Sequence, residues 1–174
     1  MSAYSRRSVL VALVMAGACA IATAAGGGRA TLPRCATPHL RLSGHLNGAT
    51  QSLLGALTLT NRSENACALP PAPRRVSVMI GRQILPTLTV PLRSGRATTA
   101  RPTRILPGRG RVSVLIQWRN WCGSPRGTVP VSIALTIFAA ATPRLKLGLV
   151  TTPPCVEAKF SSTIAVSRFL RRQP

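Results

Sequence analysis

Acidic side chains are almost absent from this sequence. It contains no aspartate, and its two carboxylate side chains are Glu64 and Glu157, each beside a turn that carries a cysteine. Hydrolytic chemistry usually requires a carboxylate pair, or a nucleophile with a base and a group that orients the base. The sequence also has no glycine-rich loop that would hold phosphates, because Gly26-Gly27-Gly28 belongs to a tether. We therefore expect neither an enzyme nor a bound cofactor.

Aromatic residues are also scarce, at 3% of the chain. Proteins that bind single-stranded nucleic acid stack its bases on aromatic side chains, and many nucleic-acid binders concentrate their cations on one face. The arginines of this chain are scattered along the sequence instead. We expect no sequence-specific nucleic-acid binding, and a hydrophobic core built from Leu, Val and Ile.

Positive charge dominates the composition. The chain has 23 Lys and Arg and a formal net charge of +21, and Lys146 and Lys159 are its two lysines. One interpretation is an anionic partner, such as cell-wall polymer, acidic lipid headgroups or nucleic acid. The alternative is that a GC-rich genome converts surface positions into arginine and alanine, so that the charge is incidental to function.

The first residues have the order of an export signal. Two arginines in Ser5-Arg6-Arg7-Ser8-Val9-Leu10 precede an apolar run that ends at about Ala25, with small residues at Ala22-Thr23-Ala24-Ala25. The sequence therefore predicts an exported protein, extracellular or associated with the cell envelope. We assign an export signal peptide to 1–25, a flexible tether to 26–34 and one folded domain to 35–174.

Several alternatives stay open for this leader. The paired arginines fit both a twin-arginine signal and an ordinary secretory signal. Cleavage near Ala24 is favoured over lipidation of Cys19, because Ala16-Gly17-Ala18 before it is a poor lipidation sequence. An uncleaved anchor is the third alternative, since Val9 to Gly28 just reaches the ~20 residues that a spanning helix needs. No later segment is apolar and long enough to span a bilayer.

Short segments of alternating apolar and polar residues fill the rest of the chain, separated by Pro, Gly and Asn. The clearest has Val112, Val114, Ile116 and Trp118 on one side. The other segments are 39–46, 53–60, 76–80, 83–85, 131–137, 145–150 and 162–167. About seven to nine short strands at this spacing, with no capped helical stretch, predict an all-β antiparallel sandwich. The proline-rich regions 70–73 and 86–107 are predicted to be loops or sheet edges.

Four cysteines follow the leader: Cys35, Cys67, Cys122 and Cys155. An exported chain favours disulfides, and four thiols allow three connectivities, among which spacing alone does not choose. A metal site is the rival interpretation, because Cys35 and His39 have a feasible ligand spacing. No C-x-x-C pair accompanies them, so we expect two disulfides and no metal.

The two histidines and one asparagine offer further candidate sites. His39 and His45 are six apart in one predicted strand and so point to the same face. Without an evident third ligand, we interpret them as strand residues at a sheet edge or surface. Asn61-Arg62-Ser63 has the form of a glycosylation sequence, but we interpret it as a turn.

The order of the short motifs resembles the domain of unknown function 4232 family, which occurs in secreted proteins and lipoproteins of high-GC Gram-positive bacteria. The motifs that carry the resemblance are Cys35 to Leu42, Leu57-Thr58-Leu59-Thr60-Asn61-Arg62-Ser63, Cys67-Ala68-Leu69-Pro70, Leu106-Pro107-Gly108, Gln117-Trp118, Cys122 and Cys155. The resemblance covers the chain from about Cys35 to its C-terminus. The chain departs from the family pattern at Ala68-Leu69-Pro70-Pro71 and in its extreme basicity.

The resemblance implies a sandwich of immunoglobulin-like type, with Cys35 bonded to Cys67 and Cys122 bonded to Cys155. It implies no catalytic residues, because the family has none established.

The two tryptophans receive different predictions. Trp118 is in register with the apolar side of its strand and is predicted to lie in the core, whereas Trp121 is out of register and is predicted to be exposed, as part of a contact surface.

Taken together, the sequence predicts a non-catalytic exported domain that adheres to anionic cell-envelope components through its basic surface. The alternative is an extracellular ligand- or protein-binding sandwich whose charge is incidental.

Overall fold

The computed structural model describes residues 31–92, 100–139 and 143–171. The predicted export signal, Cys19 and most of the predicted tether therefore lie outside the described residues. The described residues belong to one compact unit that begins at Thr31. None of them forms a helix that is long and apolar enough to cross a membrane.

The described chain is all-β, apart from one turn of 3-10 helix at Thr37–His39. In chain order the strands are β1 (Leu40–Ala49), β2 (Ser52–Asn61), β3 (Cys67–Ala68), β4 (Arg75–Ile80), β5 (Gln83–Ile84), β6 (Thr87–Pro91), β7 (Arg101–Pro102), β8 (Ile105–Leu106), β9 (Arg111–Arg119), β10 (Thr128–Thr136), β11 (Arg144–Thr151), β12 (Ser162–Val166) and β13 (Leu170–Arg171). Eight of these strands have five residues or more, within the predicted range of seven to nine, and the other five have two residues each.

The strands form two main sheets. The larger has the order β1-β2-β9-β12-β6, with β13 paired to β9 and to β7, and the smaller has the order β11-β10-β4-β5. A two-stranded sheet of β3 and β8 completes the pairing of these strands, and an isolated parallel bridge joins Arg34 to Ala68. The pairs are antiparallel, as predicted, except that β12 and β6 are parallel. The proline-rich regions avoid the central positions as predicted, because β6 and β7 lie at sheet edges and 70–73 forms no strand.

The two main sheets share one hydrophobic core, which makes the domain a sandwich. The alternating apolar side of β9 is buried in this core, as the sequence predicted. The smaller sheet contributes Val76 and Val78 from β4 and Ile133 and Leu135 from β10, all fully buried. Alternation with period two thus directs one face of each sheet inward, and burial of these branched side chains drives folding.

Trp118 lies in this core, as predicted, and is completely buried. Its indole N–H donates to Ser162 Oγ over 2.9 Å, and Ser162 Oγ in turn donates to Arg119 O over 3.1 Å. The buried polar atom of the indole is therefore satisfied, which removes the cost of placing it away from water.

Both predicted disulfides are present, Cys35–Cys67 and Cys122–Cys155. Their partners are 32 and 33 residues apart, so each bridge stabilises the fold by about 3–4 kcal/mol on the chain-entropy model. The first bridge is supported by hydrogen bonds from Cys35 N to Ala68 O and from Ala68 N to Pro33 O. Disulfides of this kind are typical of proteins that fold in an oxidising compartment.

Candidate functional site

The prediction that Trp121 is exposed is wrong. Its relative exposure is 3%, its ring lies 6.3 Å from that of Trp118, and its indole N–H donates to Pro125 O over 2.8 Å. The reason is that β9 ends at Arg119, and Asn120 then adopts a positive φ of 57°. The strand alternation stops at that residue, so counting register from Trp118 does not give the orientation of Trp121.

The prediction that both histidines lie in one strand is also wrong. His39 ends the 3-10 turn at Thr37–His39, while His45 lies in β1, and both are exposed. Cys35 is bonded to Cys67, which removes the thiolate that a Cys35–His39 metal site would need. Among the described residues, no three His, Cys, Asp or Glu side chains come together to hold a metal ion.

Each glutamate faces a cation at the surface. Arg109 donates from Nε and Nη2 to Glu64 Oε1, and Lys159 Nζ lies 3.6 Å from Glu157 Oε2. The hydrogen bonds and the positive charge of Arg109 hold the pKa of the Glu64 carboxyl below its usual value. Both glutamate side chains and their cationic partners are exposed, so the two ion pairs make little contribution to stability.

The turn at Asn61-Arg62-Ser63 is held together by Asn61 itself. This side chain is 1% exposed, and its Nδ2 donates to Asn65 O over 2.8 Å and to Pro107 O over 3.1 Å. Its Oδ1 accepts from the backbone N and the Oγ of Ser63. The amide that glycosylation would modify is buried and hydrogen-bonded, so Asn61 has a structural role.

A groove at one end of the larger sheet is the candidate site. Its volume is about 720 Å³. Its floor follows the cross-strand register from Arg119 at the end of β9 to Thr163 of β12 and Leu88 of β6. One wall is the β1–β2 turn at Thr50 and Gln51. The groove is also lined by the segment 156–161, called the Phe160 loop below, which contributes Val156, Glu157, Lys159, Phe160 and Ser161.

Asn120 fixes the Phe160 loop in place. Its Nδ2 donates to Glu157 O and to Phe160 O, both over 2.9 Å. Its Oδ1 accepts from Val156 N over 2.9 Å and from Glu157 N over 3.0 Å. The Cys122–Cys155 disulfide joins the chain just after Asn120 to the chain just before the loop. A single side chain and a covalent bond thus tie the loop backbone to the chain that follows β9.

The groove presents apolar and cationic side chains together. Phe160, Leu88 and Val156 are 57%, 56% and 52% exposed. Lys159 places its Nζ 5.2 Å from the centroid of the Phe160 ring, and Arg119 is exposed on the floor. Exposed apolar side chains that lie together, with polar residues around them, mark interaction sites more often than scattered ones do.

No local pattern in the sequence predicts this groove. Its residues come from four separate parts of the chain and are brought together by the pairing of β6, β9 and β12. The local signal is weak, since Val156 and Phe160 lie outside any alternating segment.

The cations of the described residues are all at the surface. The exposed Lys and Arg are Arg34, Arg41, Arg62, Arg74, Arg75, Arg82, Arg101, Arg104, Arg109, Arg111, Arg119, Arg126, Arg144, Lys146, Lys159, Arg168 and Arg171. Within this part of the chain, ion pairs with carboxylates are limited to Arg109 and Lys159. Arg126 instead donates to the carbonyl oxygens of Cys122 and Gly123.

Known proteins provide no relative of this chain. No protein-family model, curated protein or solved structure matches the chain. The resemblance to the domain of unknown function 4232 family therefore stays a prediction, and the candidate site rests on its own geometry.

Proposed function

We propose that this chain is a non-catalytic exported domain that associates with anionic components of the cell envelope, cell-wall polymer or lipid headgroups, through its basic surface. The observation that carries the proposal is the exposure of every described Lys and Arg side chain in a protein with two glutamates and no aspartate. Export is supported by the leader pattern of 1–25 and by the two disulfides.

The distribution of charge favours an extended anionic surface over a small anion. The cations occur on both main sheets, for example Arg41 and Arg111 on the larger and Arg144 and Lys146 on the smaller. Arg41, Thr60 and Arg111 are in register across β1, β2 and β9, so two guanidinium groups flank one threonine on the outer face. Charges spread in this way sum to a positive potential that attracts polyanions.

The experiment that tests the proposal is retention of the protein on a native cell-envelope fraction at rising salt. We expect retention to fall steeply between about 0.1 M and about 1 M NaCl, because the Debye length shortens from about 10 Å to about 3 Å. The double variant Arg41→Gln/Arg111→Gln should be retained less, and Arg41→Lys/Arg111→Lys should match the native chain, because it keeps both charges. Retention that does not change with salt would contradict the proposal.

The groove favours a second candidate function. A concave site with three exposed apolar side chains fits a ligand- or protein-binding sandwich whose charge is incidental. Binding to one envelope component that persists at about 1 M NaCl, where electrostatic attraction is screened, and that is lost in Phe160→Ala, would support this second candidate.

A further inference from the structure

The groove exposes apolar and cationic side chains together, and a lipid bilayer offers hydrocarbon beneath charged headgroups. We propose that the Phe160 loop and Leu88 dock the domain onto an anionic lipid bilayer, with Phe160 and Val156 entering the interface and Arg119 and Lys159 facing the headgroups. This inference rests on the proposed function and names the lipid surface as the partner of one particular site. It is carried by the juxtaposition of exposed apolar and cationic side chains around one groove.

Apolar exposure distinguishes a bilayer from a soluble polyanion. Cell-wall polymer offers charges and hydroxyl groups but no hydrocarbon, so it would give no reason to expose Phe160, Val156 and Leu88 together. A bilayer interface accepts aromatic and aliphatic side chains, and the affinity grows with the apolar area that enters it. These three side chains are each more than half exposed, so this apolar area is available for contact.

Charge complementarity selects an anionic bilayer over a neutral one. The groove contains Arg119, Lys159 and one carboxylate, Glu157, which lies 3.6 Å from Lys159 Nζ. A cation close to an anionic leaflet gains about 1 kcal/mol. Lys159 Nζ lies 5.2 Å from the centroid of the Phe160 ring, so the ammonium group stays within reach of the headgroups when the ring enters the interface.

The bonds that hold the loop backbone support insertion. A flexible loop would lose conformational entropy on entering the interface, and this cost reduces affinity. Asn120 binds the loop backbone at Val156, Glu157 and Phe160, and the Cys122–Cys155 bridge anchors its start. The apolar side chains are therefore presented in position before they meet the membrane.

Co-sedimentation with vesicles tests the inference. The full chain is mixed with phosphatidylcholine vesicles and with vesicles that also contain phosphatidylglycerol, and every variant retains residues 1–30, so that any contribution of that segment is common to all. We expect binding to the phosphatidylglycerol vesicles to weaken about tenfold in Phe160→Ala/Val156→Ser, because interfacial burial of these side chains is lost. We expect a loss of about fivefold in Arg119→Gln.

Matched control variants lie on β11, outside the groove. Leu149→Ala removes a side chain that is 74% exposed, and Arg144→Gln removes one exposed cation. If the vesicles bind wherever apolar area and charge are available, these controls will weaken binding as much as the groove variants, and the inference is overturned. An intact disulfide content and an unchanged thermal midpoint show that each variant is folded.

A fluorescent reporter separates insertion from adhesion by charge. Trp118 and Trp121 are both buried and supply a constant background, so Phe160→Trp places one exposed indole in the loop. Its emission should shift to shorter wavelength on addition of phosphatidylglycerol vesicles and stay unchanged with phosphatidylcholine alone.

The possible results separate the two proposals. Binding to phosphatidylglycerol vesicles without a shift overturns insertion but leaves the electrostatic function standing. Binding to cell-wall polymer and not to vesicles gives the same result: it overturns insertion and leaves the electrostatic function standing. Absence of binding to every envelope fraction overturns both, and equal binding to both vesicle types overturns the preference for anionic lipid.

Discussion

Asn120 donates from Nδ2 to the backbone oxygen of Phe160 over 2.9 Å, so a residue in a left-handed turn positions the exposed aromatic side chain of the groove. The Oδ1 atom of the same side chain accepts hydrogen bonds from the backbone N–H groups of Val156 and Glu157. Asparagine is one of the few residues with a side chain that occupies this region of φ and ψ at low cost. Asn120 therefore combines a backbone role at the end of β9 with a side-chain role in the Phe160 loop.

We expect Asn120→Ala to destabilise the domain by about 2 kcal/mol, because four hydrogen bonds are lost and partly exposed bonds contribute about 0.5 kcal/mol or more each. Urea unfolding measures this change. Asn120→Gly is the matched control, since it removes the same bonds but accepts the positive φ without strain. Asn120→Gly should therefore be less destabilised than Asn120→Ala, and equal stability of the two would show that the backbone conformation matters little.

The indole of Trp121 leaves no room above Gly123. A Cβ atom added at this glycine would lie 2.5 Å from the ring atoms Cη2 and Cζ2. We expect Gly123→Ala to cost about 1–3 kcal/mol, because the ring must move away from a packed position beside Trp118. Gly48→Ala is the control, since a Cβ at Gly48 has open space. A thermal melt in which both variants match the native chain would mean that Trp121 is less tightly packed than described.

The two disulfides should affect function differently although they close loops of almost the same length. Removing either pair, as Cys35→Ser/Cys67→Ser or Cys122→Ser/Cys155→Ser, should cost about 3–4 kcal/mol. Only the second pair anchors the Phe160 loop. We expect vesicle binding to weaken in the second double variant and to be preserved in the first, as long as both are measured where they are folded. Equal losses of binding in the two double variants would contradict a role of the Phe160 loop in the proposed membrane contact.

The parts of this fold that depend on local pattern are predictable from the sequence. The apolar side of β9 alternates without interruption, so the burial of Val112 to Trp118 followed from period two alone. The disulfide pairing came from a resemblance to a family, because four cysteines by themselves allow three connectivities. Both kinds of prediction are confirmed by the structure.

The candidate site could not be predicted in the same way. Leu88 reaches the groove because β6 pairs in parallel with β12, a contact between strands more than seventy residues apart that no local pattern indicates. Trp121 was misplaced because Asn120 reverses the backbone two residues after Trp118. A Cβ at Gly108 would lie 1.7 Å from Glu64 O, so the close approach of two distant segments requires this glycine, and no local pattern indicates that contact.

Acidification should change the stability of this domain only slightly. The pKa of Glu64 is lower in the folded state because Arg109 donates to its carboxylate. A group with a lowered folded pKa stabilises the fold above its unfolded pKa, about 4, and this contribution is lost as the pH falls through the folded value. The pair is exposed, and the chain has one other glutamate, so there is little stability to lose. Arginine as a residue type keeps its charge far above this pH range, so charge repulsion between such side chains stays nearly constant.

A series of thermal melts from pH 7 to pH 3 at fixed salt measures this pH dependence. We expect the midpoint to fall by less than about 10 °C, which for a domain of this size is a modest loss of stability. The variant Glu64→Gln is the control, because it lacks the titrating group while Arg109 stays in place. Its midpoint should lie slightly below that of the native chain at pH 7, and the two should converge below pH 4, since protonation of Glu64 weakens the pair in the native chain. A difference between the two chains that keeps the same size from pH 7 to pH 3 would mean that Glu64 contributes through packing and not through its charge.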